Sequence, residues 1–245
     1  MPAYAGSQAG GESRFAADEI IKFSKQVERT LARKGARVAI IARVGRPPSE
    51  LPAGMHFTHV SFAVYSTITT TDGRNIPGYA TFNLYQRNDK PDISTLVQDF
   101  PVDFFAGVAA LEAGVIIPSP ELQKRLLETI SSPTYRELHD PNYSAIANPF
   151  TLGKQNCTEH TLDVVNAAIY QTSDISKIKA SERAYFSPQV VNISGLKLAL
   201  ASMFSSEVTL SDQPDTPVTA TFETIGKYLQ KYDDGSEMFN ITPDR

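Results

Sequence analysis

The sequence predicts an α+β domain, a small and mostly antiparallel sheet with helices on its flanks. Three observations carry this. Ile20, Phe23, Val27 and Leu31 recur at helical spacing in residues 13–34. Residues 57–66 and 79–86 form apolar runs separated by Asp72-Gly73 and Pro77-Gly78, the signature of a hairpin or meander. A further helical run follows Cys157, with Leu162, Val164, Val165, Ala168 and Ile169.

The elements follow in order. Residues 1–12 are rich in Gly, Ala and Ser and are expected to form a disordered tail, leaving 13–245 as one domain. Gly35 closes the first helix. Arg37 to Val44 is a buried strand that Gly45-Arg46-Pro47-Pro48 breaks. Strands at 57–66 and 79–86 follow. From Asp99 the chain is expected to be helical, interrupted by Pro118-Ser119-Pro120 and resumed over 121–130. Residues 131–155 are a long connection. The Cys157 helix runs to about Tyr170, residues 187–205 look helical, 216–222 alternate as a late strand, and a short helix reaches about Tyr232.

Composition narrows the function. Of the 245 residues, 41% are apolar, ample for a core. Charges number 23 basic and 27 acidic, for a net charge of −4, and no basic run exceeds two residues. A nucleic-acid surface would need clustered Lys and Arg, so none is expected. No 18-residue apolar stretch exists, so no transmembrane helix is expected. The single cysteine excludes an intrachain disulfide and a cysteine-rich zinc site. Ala3-Tyr4-Ala5 before Gly6 reads as the small-residue end of a signal-peptidase site, although no hydrophobic core precedes it. An unstructured Ala/Gly tail is the other reading. The first gives a periplasmic or secreted protein, the second leaves a cytoplasmic one open.

Cys157 carries the chemistry. It sits in Gln155-Asn156-Cys157-Thr158-Glu159-His160, at the start of an apolar helix. Backbone amides and the helix dipole at that end favour a thiolate. A buried structural cysteine, inert as a small hydrophobe, is the competing reading. A thiol enzyme also needs a base and a group to orient it. His59, in the apolar run Phe57 to Tyr65, is the candidate base, and alternation places it with Ser61 and Ala63 on one face. An ordinary satisfied histidine is the bland alternative. Asn83 is the candidate orienter, because Asn is disfavoured inside strands and its amide oxygen would fix an imidazole tautomer. Gln86 is the fallback, on the opposite strand face. His56 points away from His59, His160 lies one helical turn past Cys157 at poor geometry, and His139 is expected to be exposed. A metal would need His59, Cys157 and His160 with Glu159 or Asp163. No HxxxH or CxxC spacing supports one, and neither metal nor cofactor is expected.

Thr58-His59-Val60-Ser61-Phe62-Ala63 followed by Gln155-Asn156-Cys157-Thr158-Glu159-His160 resembles the circularly permuted, papain-like branch of the NlpC-type cysteine hydrolases. In that branch the strand histidine precedes the helix cysteine. The Asn-Cys pair is also similar to lecithin:retinol acyltransferase-like relatives. More closely, the chain resembles the bacterial family called domain of unknown function 2145, nearly throughout from Phe15 onward. The match includes residues 94–105 and Asn148-Pro149-Phe150. The resemblance implies a papain-like fold, Cys157 as nucleophile, His59 as base, and export to the cell envelope. The third position in such relatives often carries a histidine or another polar residue, and here it is Asn83.

These readings predict a cysteine hydrolase, an amidase or peptidase acting on a peptide that is plausibly derived from the cell wall. Two alternatives stand beside it. One is an acyltransferase or thioesterase-like lipid enzyme, with Phe100, Phe104 and Phe105 lining an acyl groove where core packing is the other role. The second is an inactive binding module on the same fold. Oligomeric state is not legible.

Overall fold

The computed structural model describes residues 13–47, 51, 53–70, 72–192, 210–213 and 216–244. The expected tail at 1–12, and the expected helical residues from 193 to 205, lie outside the described residues.

The fold is α+β, built on one six-stranded antiparallel sheet flanked by helices. Helix α1 (Ala17–Arg33) turns Ile20, Phe23, Val27 and Leu31 inward, as its periodicity predicts. Strands β1 (Val38–Val44), β2 (His59–Thr69), β3 (Asn75–Gln86) and β4 (Ser94–Asp99) follow. Helix α2 (Pro101–Ala106), β5 (Ala110–Ile117), α3 (Pro120–Ser131) and α4 (Thr134–Glu137) come next. Then come α5 (Cys157–Tyr170), α6 (Ile175–Tyr185), β6 (Gln189–Val190), β7 (Val218–Thr219), α7 (Phe222–Tyr232) and β8 (Glu237–Ile241). Sheet order is β4-β3-β2-β1-β5-β8, and β6 with β7 forms a separate two-stranded ladder.

Each sheet face has its own core. Ala39, Ile41, Ala63 and Val115 pack against Phe23 and Val27 of α1 and Phe104 and Phe105 of α2. On the other face Val38, Ile40, Val60, Phe62 and Ile116 meet Leu122 and Leu126 of α3, Leu162 and Val165 of α5, and Phe222 and Ile225 of α7. Central strands covered on both faces read as continuous apolar runs, not as alternation.

That explains the main correction. Residues 110–117, expected within a helical region, are strand β5 between β1 and β8. Ala-Leu-Glu-Ala-Gly-Val-Ile-Ile is apolar on both faces, so periodicity alone does not separate it from a buried helix. Gly114 marks the close approach, since a Cβ there would stand 2.6 Å from Phe222 and 2.8 Å from Phe57. The expected strand over 216–222 shortens to β7, because Thr221 caps α7 by accepting from Thr224 N at 3.2 Å. The helix expected from 187 instead begins with strand β6. Helix α6 and strands β4 and β8 were not legible in advance.

Candidate active site

The polar residues of interest gather where β2 begins. In the register β1–β2, Arg43 stands opposite His59. The β2–β3 ladder reaches only Phe62 opposite Phe82, so the first residues of β2 lie beyond it. Alternation along β3 sends Thr81, Asn83 and Tyr85 to one face, and Asp99 at the end of β4 lies opposite Thr81.

These side chains form a connected, buried network. His59 Nε2 is 3.1 Å from Asn83 Oδ1. Asn83 Nδ2 donates to Asp99 Oδ1 at 2.8 Å, which sets the amide with its oxygen toward the ring. Nε2 therefore carries the proton, and Nδ1 holds the free lone pair. Nδ1 is buried without a hydrogen-bond partner. Asp99 also accepts from the Thr81 hydroxyl and, at 2.9 Å, from Tyr85. Tyr85 stacks on the imidazole with centroids 4.8 Å apart, and Phe104 closes the other side at 5.6 Å. Arg43 donates to the Phe104 carbonyl at 2.6 Å and lies over the Phe104 and Tyr85 rings. Burial, and then the Arg43 charge, hold His59 well below its ordinary range, so the ring is neutral. Burial raises the Asp99 carboxyl against the pull of its donors.

Cys157 is the first residue of α5. Asn156 caps that helix, its Oδ1 accepting from Glu159 N at 2.9 Å, and Asn156 Nδ2 ties the cap to the Ala145 carbonyl at 3.1 Å. The backbone N–H groups of Val60, Thr158 and Cys157 itself favour the thiolate. Burial pushes the thiol up to about 11, against the opposing pull of the Val60 N–H, the Arg43 charge and the two helix amides. At neutral pH the resting side chain is therefore a thiol.

The structure joins His59 to Asn83 and leaves Cys157 without a hydrogen bond to the imidazole. The reason is the pleat. His59 packs with Tyr85 and Phe104 on the α2 face, while Val60 and Cys157 belong to the core on the α5 face. Thiol and imidazole approach the start of β2 from opposite sides, around the Val60 peptide N–H.

The remaining candidates fall elsewhere. Gln86 is buried and donates to the Pro91 carbonyl at 2.8 Å. His56 precedes β2 and pairs with Glu112 at 2.9 Å. His139 is partly buried, not exposed, and lies 2.9 Å from Ser94 Oγ. His160 is buried, with its ring 4.9 Å from that of Tyr135. Phe104 and Phe105 are core, and only Phe100 reaches a surface groove, of about 540 Å³, between α1, α2 and the β2–β3 hairpin. Glu159 and Asp163 are engaged by Lys179 Nζ at 2.9 and 2.6 Å, and Glu182 lies 3.2 Å from the same nitrogen. Among the described residues no group of three His, Cys, Asp or Glu side chains is arranged to hold a metal.

Sequence reasoning missed Arg43, Asp99, Tyr85 and the Lys179 cluster. Arg43 had a signal, a lone charge inside Val-Ala-Ile-Ile-Ala-Arg-Val. Asp99 had none, because it was read as the start of a helix.

Residues 30–229 match the family model described as an uncharacterized protein conserved in bacteria (DUF2145). The chain belongs to that family. No curated protein and no solved structure matches. No helix among the described residues is long and apolar enough to cross a membrane.

Proposed function

We propose that this family member is a cysteine hydrolase that cleaves an amide bond, with Cys157 as nucleophile, His59 as base and Asn83 as orienter. The observation that carries the reading is the imidazole. Asn83 and Asp99 fix its tautomer with Nδ1 as the one unpartnered ring nitrogen, and the next peptide N–H in the chain favours the thiolate. The order strand His, next-strand Asn, later helix Cys supports a permuted papain-like arrangement. The resemblance to NlpC-type cysteine hydrolases supports a peptide substrate, here one of the cell envelope.

In this reading the resting site is unpaired, and proton transfer requires the thiol to reach the imidazole where the first residues of β2 extend beyond the β3 ladder. The thiol proton passes to His59 Nδ1 as sulfur bonds to the carbonyl carbon. The backbone N–H groups around the sulfur are placed to steady the oxyanion. The ring returns the proton to the leaving nitrogen as the C–N bond breaks. Water then attacks the thioester, gives its proton to Nδ1, and frees the acid and the thiol.

The test compares a small alkylator with a peptidyl acyloxymethyl ketone that must occupy the site. The ketone should label Cys157 in the wild type and fail in His59→Ala, while iodoacetamide reacts slowly with both at pH 7. Labelling indifferent to His59 sinks the reading. It would favour the second one, a non-catalytic module, which the buried and neutral thiol favours in the resting structure.

A further inference from the structure

Beyond this site, one cleft is built for a ligand. It has a volume of about 430 Å³ and lies between β4 and the α3–α4 corner. Phe82, Leu96, Ile130 and Tyr135 supply its apolar wall, and Arg136 and Glu137 stand at its rim.

Three features point to the occupant. First, β4 is the edge of the sheet. Ser94 N donates outward to Pro141 O at 2.8 Å, where residues 141–143 run beside the start of the strand. By alternation the N–H and C=O groups of Leu96 and Gln98 also face outward. Among the described residues no backbone group meets them there. Second, Phe82 and Tyr135 pack edge to face with ring centroids 6.0 Å apart and form an apolar floor. Third, Arg136 forms no ion pair among the described residues, so its charge suits an anionic group at the rim.

We propose that this cleft binds the C-terminal end of an extended peptide. Its main chain adds to β4 at Leu96 and Gln98, its last side chain is large and apolar and enters against Phe82 and Tyr135, and its terminal carboxylate pairs with Arg136. Glu137 beside Arg136 disfavours an acidic penultimate side chain. The cleft lies on the α5 face, where Tyr135 meets His160, but binding there does not require catalysis at Cys157.

The test is isothermal titration of the full chain with acetyl-Lys-Thr-Val-Thr-Phe as free acid and as C-terminal amide. The acid should bind, and the amide should bind roughly tenfold more weakly, as for one lost charge-assisted bond. Arg136→Ala should weaken the acid by the same factor and leave the amide unchanged. N-methylation at alternate peptide residues should abolish binding in one register and spare it in the other, which needs no protein variant to fold. No binding at millimolar peptide overturns the proposal. So does binding indifferent to the carboxylate and to N-methylation. Concentration-dependent dimerisation lost in Gln98→Lys, without peptide binding, assigns the edge to self-association and overturns it as well.

Discussion

Lys179→Met should be among the most destabilising single changes in this protein, and its cost should depend on pH. The ammonium is buried among Glu159, Asp163 and Glu182. Burial pulls its pKa down, and the three carboxylates, Asp163 foremost, outweigh that and hold it above its ordinary value. Burial raises Glu159 well above the usual range and lifts Glu182 to about 10, each with help from Asp163. Burial thus favours the protonated forms of Glu159 and Glu182 near neutrality, and Lys179 supplies the positive charge among the three carboxyl groups. Removing one partner of a buried ion pair costs about 3–5 kcal/mol. At about 2–4 °C per kcal/mol for a chain of this size, melting should fall by roughly 6–20 °C at pH 7.5. The sign follows from linkage. Loss of the cation raises the folded-state carboxyl pKa values further. A raised folded pKa gives stability that is full below the unfolded value and lost as pH rises through the folded one. The deficit should therefore shrink toward pH 5 and widen toward pH 8. Thermal unfolding followed by circular dichroism at those pH values measures it. A loss under about 1 kcal/mol, or one independent of pH, would refute this account of the cluster.

Other outcomes follow from the same structure. Alkylation of Cys157 in the free protein should be slow at pH 7 and climb toward about pH 11, and a profile that levels off near neutrality would contradict the burial of the thiol. Asn83→Ala strands His59 Nε2 and leaves Asp99 Oδ1 with the Thr81 hydroxyl alone, and should cost about 1–3 kcal/mol by urea denaturation. His160, held by burial at about 3, stays neutral when folded and takes up a proton when unfolded below about 6.5. Stability should thus fall with acid by about 1.4 kcal/mol per pH unit from this residue. His160→Phe should flatten that slope, and equal slopes in both proteins would count against it.

Much of the sheet and its helices is legible in the chain because half-buried elements carry a period. Helix α1 and strands β2 and β3 announce themselves that way. Strand β5 does not, since both its faces are covered, and α6 buries only Ile178 among its apolar residues, which gives no stripe. The site was legible where a residue type breaks its context, a lone cysteine, a strand histidine or a strand asparagine. Asp99 was hidden because its role comes from register, which places it beside Thr81 at the last residue of β4, a strand with no clear pattern of its own. Alternation does place His59 and Val60 on opposite faces. Which face α5 covers is a matter of chain path, and local pattern carries no information on that.

The two buried polar groups differ in what an apolar replacement would do. Around Lys179 the ions are compact and hydrogen-bonded to Gln155 and Asn166, and they clamp α5 to α6. An isosteric apolar set there would fill the same volume, often with no loss of stability. At the start of β2 the cluster also holds an atom without a hydrogen-bond partner, as the Lys179 cluster does at Glu159 Oε2 and Glu182 Oε2. Arg43 is buried and Asp99 partly so, His59 is neutral, and one ring nitrogen has no partner. An unpartnered buried nitrogen costs about 1–3 kcal/mol; Leu in place of His59 would remove that cost but strand Asn83 Oδ1 at a similar one. On stability alone a histidine is therefore no better than an apolar residue at this position. A role as proton acceptor, which the proposed thiol transfer requires, would account for it. His59→Leu separates the two, because a purely structural histidine predicts a protein of about the same stability that keeps every activity, and the base role predicts the same stability without the Cys157 chemistry.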